Sequence, residues 1–469
     1  MSRHAAALEF LFGRINYERV AVLPYGERQL KLDRMRTLLN RLGNPDAGIP
    51  IVHVAGTKGK GSTSALIAAM LHAAGYDVGV YSSPHLERLE ERFCVNGQAC
   101  SAEELVALVD RIRPVVQQMD DAARTAGDPS QQPTFFELTT ALSLMHFADR
   151  QVDAIVLEVG LGGRLDSTNV CQPALTVITS ISLDHTKQLG DTTAKIAAEK
   201  GGIIKPGVPL VLGGMDAEAH DVLVEMARNH GSRVIEAPRD FDFTYRPPHE
   251  LNAHAAAGEL DFVTRQSEES FELRDATLGM LGKHQAANAA LALASALELR
   301  RQGWLISTDA MRTGLAEATL PGRIELLGLR PTVVLDVAHN VASVAALADS
   351  LRESFASRNR VLVFAASRDK DAPGMLRVLL PHFQSVILTE FQENPRAALI
   401  EQLTRWCREE LARFGGSVQL QACKLPADAW TLARRDAGDD DLICITGSFF
   451  IAAELRALAA AVGVRHAPA

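Results

Sequence analysis

The residues Gly56-Thr57-Lys58-Gly59-Lys60-Gly61-Ser62-Thr63 place two lysines and three hydroxyls in a glycine loop. An apolar run, Ile49–Val54, comes before it. A helical pattern follows, with Leu66, Ile67, Met70, Leu71 and Ala74 on one face. Strand, glycine loop and helix in that order turn backbone N–H groups and a helix N-terminus toward a phosphate. Lys60 supplies a cation, and Ser62 or Thr63 a hydroxyl for a metal ion. The usual phosphate loop puts its lysine after the last glycine, directly before Ser or Thr. Here Lys60 stands one residue early, before Gly61. The plainer alternative is a glycine-rich turn at a sheet edge, but the flanking strand and helix favour a nucleotide triphosphate.

A second constellation begins at Glu158, which closes the apolar run Ala154–Val159 and leads into Gly160, Gly162, Gly163 and Arg164. A carboxylate at the end of a buried strand is costly without a cation. Mg²⁺ bridging nucleotide phosphates is the natural partner, because it prefers carboxylate and hydroxyl oxygen. The glycines permit close backbone approach, and Arg164 offers a bidentate fork for an acid. Ser83, in Tyr81-Ser82-Ser83-Pro84-His85, follows another strand and could ligate a metal, with His85 toward a substrate. Taken alone, this is a Ser-Pro turn. Asp184-His185 follows a third strand, giving His185 a metal or phosphate role. Lys200 closes a short helix. If buried, its lowered pKa would let it take up CO₂ as a carbamate, an anionic metal ligand. Taken alone, it reads as a surface lysine.

In the C-terminal half, Asp336 follows a strand and can hydrogen-bond a ribose hydroxyl. Arg323, in Pro321-Gly322-Arg323, would reach phosphates as two domains close. Ser367-Arg368-Asp369-Lys370-Asp371 ends the next strand.

The elements that position these groups alternate. Helices are expected at Ala5–Phe12, Leu30–Leu42, Ala102–Met119, Phe135–Ala148 and His284–Arg300. Residues 120–132 read as a polar loop. Val78–Tyr81, Ala154–Val159, Leu175–Ile181, Leu210–Gly213 and Arg233–Ala237 read as strands, the longer runs as central parallel ones. Residues 238–272 read as short antiparallel strands or an excursion. Beyond Leu320-Pro321-Gly322, strands at 332–336, 361–366, 385–389, 418–422 and 442–446 alternate with helices. The fold class is therefore α/β, with a P-loop-type parallel-sheet N-terminal domain (residues 1–318) and a Rossmann-like doubly wound C-terminal domain (residues 319–469).

The 469 residues carry a net charge of −9, with 47% hydrophobic and 22% charged residues. No basic stripe argues for nucleic acid. No apolar run is long enough to span a membrane, and no signal peptide is evident. Six cysteines without a CxxC pair or framework spacing read as free thiols in a reducing compartment. The expected location is cytoplasmic.

Together, in this order, these segments resemble the folylpolyglutamate synthase/dihydrofolate synthase family of the Mur ligase superfamily. The segments are Leu42–Pro45, Gly56–Thr63, Tyr81–Leu86, Thr134–Glu137, Glu158–Asn169, Leu183–His185 with Leu189-Gly190, Glu199-Lys200, Gly282–Gln285 with Asn288-Ala289, Pro321–Arg323, Asp336 with Ala338–Asn340, and Asp369–Asp371. The Lys-before-Gly loop is this family's form. The resemblance implies that Gly59, Lys60, Gly61 and Ser62 hold ATP phosphates and that Asn288 reads adenine. It implies that Arg323 and Asp336 come from the second domain to phosphates and ribose. Two Mg²⁺ ions are implied, one on Ser83 and Glu158, the other on His185, Glu158 and carbamylated Lys200. Lys60, Lys200, His185 and Arg323 would carry the chemistry. Thr134, Phe135, Phe136, Glu137, Leu165, Asp166 and Ser167 would line the pterin side. The implied activity is ATP-dependent joining of L-glutamate to folate or dihydropteroate through an acyl phosphate, in a monomer. The alternatives are dihydrofolate synthesis alone or another Mur-type amino acid ligation. The chain departs from the family at Gly201, where Ala is usual, at Val337, where Gly is common, and at Gly447–Phe450.

Overall fold

The computed structural model describes residues 2–16, 32–248, 257–265, 270–415 and 417–463. Leu30 and Lys31, and parts of 238–272, lie outside the described residues. Two compact units result. One comprises Met1–Thr244, Asp261–Ala276 and Ala287–Ala318; the other comprises Tyr245–Leu260, Thr277–Ala286 and Thr319–Ala469.

The first unit is built on strands β1 (Ile51–Ala55), β2 (Val78–Tyr81), β3 (Phe93–Val95), β4 (Gln98–Ala99), β5 (Ala154–Glu158), β6 (Leu175–Ile178), β7 (Leu210–Leu212) and β8 (Val234–Glu236). They form one sheet in the order β4-β3-β2-β5-β1-β6-β7-β8. From β2 to β8 every pairing is parallel. The β3–β4 hairpin adds two antiparallel strands at one edge. β1, β5, β6 and β7 are buried at every residue, as expected of parallel strands covered on both faces. One side is covered by a core that includes Met35, Leu38, Phe93, Leu105, Ile112, Phe135 and Phe147. Another core includes Ile178, Ile196, Ile203, Leu210 and Leu223. Helices Lys60–Ala73 and Thr308–Glu317 pack so closely that a Cβ on Gly314 would stand 2.5 Å from the Met70 backbone.

Strands β9 (Phe241–Arg246), β10 (Gly258–Thr264) and β11 (Glu272–Leu278) make a three-stranded sheet. The second unit's main sheet runs β12-β13-β17-β14-β15-β16, from strands β12 (Glu325–Leu329), β13 (Thr332–Leu335), β14 (Arg360–Phe364), β15 (Ser385–Leu388), β16 (Gln419–Ala422) and β17 (Leu442–Thr446). It is parallel apart from antiparallel β12, so the α/β class stands.

Two expectations are corrected. The helix that begins at Ala102 runs on to Thr125 through the stretch read as loop, because Met119 and Ala123 continue its buried face. The strand expected over 175–181 ends at Ile178, and the next residues leave the ladder to hold the glycine loop.

Candidate active site

Four loops leave neighbouring strands at the same sheet edge. Val54 in β1 lies opposite Glu158 in β5, Tyr81 in β2 opposite Leu157, and Ala55 opposite Ile178 in β6. The segments carrying Ser83, Glu158–Asp166, Gly56–Thr63 and Asp184-His185 therefore start side by side. They start at carboxyl ends of parallel strands, where ligands collect in open α/β sheets.

The glycine loop is held from the β6 side. A Cβ on Gly56 would fall 1.9 Å from Thr179 Oγ1, so only glycine fits. The N–H of Thr57 donates to Ser180 O (2.7 Å) and that of Lys58 to Ser180 Oγ (3.1 Å). Lys58 Nζ pairs with Asp184 Oδ2 at 2.6 Å. These bonds occupy the first loop amides. At Gly59, φ is +85° and no side chain caps the helix that follows, so the first-turn N–H groups keep the positive helix end open to an anion. Asn288, 8% exposed, abuts Gly59. Ser62 and Thr63 are buried, and Thr63 Oγ1 has no hydrogen-bond partner among the described residues.

Beside this loop, the N–H of Ser83 donates to Glu158 Oε2 at 3.3 Å. A Cβ on Gly160 would lie 3.4 Å from both Ser83 Oγ and Asp166 Oδ2. Lys200 is the last-but-one residue of helix Thr193–Gly201 and is 5% exposed. Among the described residues, nothing hydrogen-bonds or ion-pairs with its amine. Burial pushes its pKa down to about 7, helped by the Lys60 and Lys58 ammonium groups and opposed by Asp184 and Asp166. A neutral amine is thus accessible, the condition for carbamate formation. The surface-helix reading is overturned. His185 is exposed, with φ +50°, at the start of the short helix Thr186–Leu189. Its backbone N–H donates to Asp184 Oδ1. Hydroxyl and carboxylate oxygens from Ser83 and Glu158 suit a hard cation such as Mg²⁺, and the buried Glu158 carboxylate (5% exposed) gains from one.

Arg164 differs from its expected role, because its fork closes on Glu199: Nε lies 3.2 Å and Nη2 3.1 Å from Oε1. The substrate-side residues divide. Thr134 and Glu137 cap helix Phe135–Asp149 reciprocally, and Glu137 also takes the buried Arg34 Nε at 2.9 and 2.8 Å. Phe135 is fully buried, stacked on Phe12 at 5.5 Å, with the Arg92 guanidinium 5.3 Å from its ring centre. Phe136 is half-buried near Gly160, its Cε1 3.8 Å from the Cβ position. Leu165 is half-buried too. Ser167 Oγ lies 2.7 Å from Thr140 Oγ1. Asp166 Oδ2 accepts from the N–H of Gly160 (3.1 Å) and Leu161 (3.0 Å), and Oδ1 from Thr168 N (3.0 Å) and Oγ1 (2.6 Å). Burial raises the Asp166 pKa against those bonds.

Sequence reasoning missed what stands behind Asp166. Thr168 gives its hydroxyl proton to Asp166, so at 2.8 Å it accepts from His53 Nε2. His53 Nδ1 then faces Cys171 Sγ at 3.6 Å as acceptor. Burial, with Lys205 adding, pushes His53 down to about 3, keeping it neutral. No spacing rule links residues 53, 166, 168 and 171; only the fold of β1 beside β6 does.

In the second unit, Asp336 is 7% exposed and accepts from the N–H of Ile324 (2.9 Å) and Ala338 (2.8 Å). Burial raises its pKa, opposed by Arg323. The Arg323 guanidinium lies 5.3 Å over the Phe449 ring. His339 Nδ1 is 3.0 Å from Val337 O. Asp371 caps helix Ala372–Leu379, and Asp369 pairs with Arg396 at 3.1 Å.

Residues 54–296 match the Mur ligase middle domain and residues 322–449 the Mur ligase glutamate ligase domain. The dihydrofolate synthase/folylpolyglutamate synthase of Bacillus subtilis is 38% identical over 91% of this chain and 94% of its own. The Escherichia coli protein of the same name is 34% identical over 91% and 90%. The crystal structure of Mycobacterium tuberculosis folylpolyglutamate synthase with ADP and AMPPCP superposes with TM-score 0.84 at 32% identity, over 98% of this chain and 99% of that one. Escherichia coli FolC with DHPP and ADP gives TM-score 0.77 at 30% identity, over 98% of each chain. With both ligase domains and relatives aligned over nearly their full lengths, the chain belongs to the folylpolyglutamate synthase/dihydrofolate synthase family of Mur ligases.

Proposed function

We propose that this chain is an ATP-dependent acid–amino-acid ligase that joins L-glutamate to a folate-type carboxylate, acting as folylpolyglutamate synthase and also as dihydrofolate synthase. The observation that carries this reading is the shared edge of β2, β5, β1 and β6. There an uncapped helix N-terminus, Lys60, buried Glu158 and buried Lys200 meet the demands of a triphosphate with divalent cations. The relatives' names supply the acceptor class.

In this reading Gly59, Lys60, Gly61 and Ser62 hold the ATP phosphates and Asn288 meets the adenine. Ser83 and Glu158 would hold one Mg²⁺; Glu158, His185 and carbamylated Lys200 would hold the second. Bound there, such ions would supply positive charge for phosphate oxygens. The acceptor carboxylate attacks the γ-phosphate, ADP leaves, and the glutamate amine displaces phosphate from the acyl phosphate. Lys60 adds positive charge where negative charge develops. Phe136 and Leu165 offer half-exposed apolar surface to a pterin. Thr134, Phe135, Glu137, Asp166 and Ser167 hold that surface in shape. Residues 1–318 are read as the nucleotide-binding domain and residues 319–469 as the glutamate ligase domain, which carries Arg323 and Asp336. The chain acts as a cytoplasmic monomer on small molecules.

The test is ADP release across folate, dihydropteroate and UDP-sugar acceptors, with mass spectrometry of the products. Glutamate added to both pterin acceptors is the expected result. Turnover with dihydropteroate alone would narrow the activity to dihydrofolate synthesis. Turnover only with a UDP-sugar would make the chain another Mur-type ligase.

A further inference from the structure

A second cluster of ligating side chains has no place in that chemistry. Cys100 follows β4, Glu104 lies in the first turn of helix Ala102–Thr125, and His146 lies near the end of helix Phe135–Asp149. Their ligating atoms all stand within 4.8 Å of one another. His146 is ten residues past Phe136 on that helix, roughly 15 Å along its axis.

Three observations point to a ligand. First, His146 is 3% exposed, and among the described residues nothing hydrogen-bonds to its imidazole, so a ring nitrogen is available as a ligand. Second, Cys100 is 2% exposed and its Sγ, which donates to Ser101 O at 3.5 Å, stands within 4.8 Å of the ligating atoms of Glu104 and His146. Third, the Glu104 carboxylate is already oriented. Oε2 accepts from the Ser101 N–H at 2.8 Å and Oε1 from Arg150 Nη1 at 3.1 Å. Each oxygen keeps a second lone pair, and such outer contacts are what fixes a metal-binding carboxylate.

We propose that Cys100, Glu104 and His146 form a binding site for a divalent cation that prefers sulfur and nitrogen donors, with Zn²⁺ the best fit. One thiolate and one carboxylate balance its two positive charges, and neutral imidazole completes three ligands. A water molecule takes the fourth tetrahedral position. As the sulfur–metal bond forms, Cys100 gives its thiol proton to solvent; nothing is oxidised or reduced. Ligand atoms around tetrahedral zinc stand about 3.5 Å apart, so side-chain movements of about 1 Å suffice. Mg²⁺ does not compete well for sulfur and imidazole. The bound ion would tie the β4 turn to the end of helix Phe135–Asp149.

The test uses the full chain stripped of metal. Zn²⁺ is titrated against a chromophoric chelator, and Co²⁺ is added separately to look for a thiolate charge-transfer band. One equivalent of Zn²⁺ should bind, raise the melting temperature and, with Co²⁺, give the band. C100S and H146Q should weaken binding at least tenfold and remove the band. E104Q, which keeps the capping carbonyl oxygen, should weaken it without unfolding the apo chain. Absence of tight Zn²⁺ binding in the wild-type chain, or equal binding in C100S and H146Q, overturns the proposal.

Discussion

Asn288 Oδ1 fills the space beside Gly59, where an added Cβ would stand 2.2 Å away. Gly59 also holds φ at +85°, which a side chain adopts at a cost of about 1–3 kcal/mol. G59A should therefore lower the melting temperature and abolish the extra stabilisation given by Mg-ADP. Adding N288A should recover part of the stability, since the collision goes while the backbone strain stays. Thermal melts of the three variants with and without Mg-ADP check this. Wild-type behaviour of G59A would sink the assignment of the loop.

Glu158 is a buried carboxylate at this edge that accepts from the Ser83 backbone N–H. E158Q keeps its shape and removes its charge. Turnover should fall roughly 100-fold or more, and the Mg²⁺ concentration for half-maximal rate should rise. S83A should act in the same direction. Folding should survive in both, because the Ser83 N–H keeps an acceptor. A magnesium titration of ADP release separates this from a purely structural role, which would leave the half-maximal concentration unchanged.

Lys200 lies buried beside Lys60, and its amine is pushed down to about 7. It should carry a carbamate when bicarbonate is present. With ¹³C-labelled bicarbonate, a carbamate resonance is expected in the wild-type chain and not in K200A. K200A should also lose most turnover while Mg-ADP binding persists. A wild-type spectrum without that resonance would leave Lys200 as a phosphate-binding cation.

How much of this was legible depends on the range of the interaction. The apolar runs around β1, β5 and β6 marked the parallel sheet, and Glu158 was legible as a carboxylate at the end of a buried strand. These signals lie within ten residues of sequence. The Asn96-Gly97 pair between β3 and β4 was a hairpin signal that went unread. β12 is five half-buried residues with no run long enough to stand out. Glu137 takes Arg34 from 103 residues away, a pairing that no local pattern shows. Arg164 looked free because Glu199 arrives from another helix. Local pattern names the residues that can do chemistry; tertiary pairing decides which of them are already engaged.

His53 shows what that pairing does to acid stability. Its folded pKa is about 3, against 6.5 for an unperturbed imidazole. Between those values the unfolded chain binds a proton that the folded chain refuses, so stability rises with pH across that window. The contribution is fully present above pH 6.5 and is lost as pH falls toward 3, at about 1.4 kcal/mol per pH unit. H53N removes the titrating group while keeping a donor for Thr168. Its stability should fall less steeply between pH 6 and about 4 than that of the wild-type chain, even if it is lower at neutral pH. Denaturant melts at several pH values measure the slope. Parallel slopes for the two chains would mean that His53 takes up its proton without unfolding, and that the path from His53 through Thr168 to Asp166 does not hold the imidazole neutral.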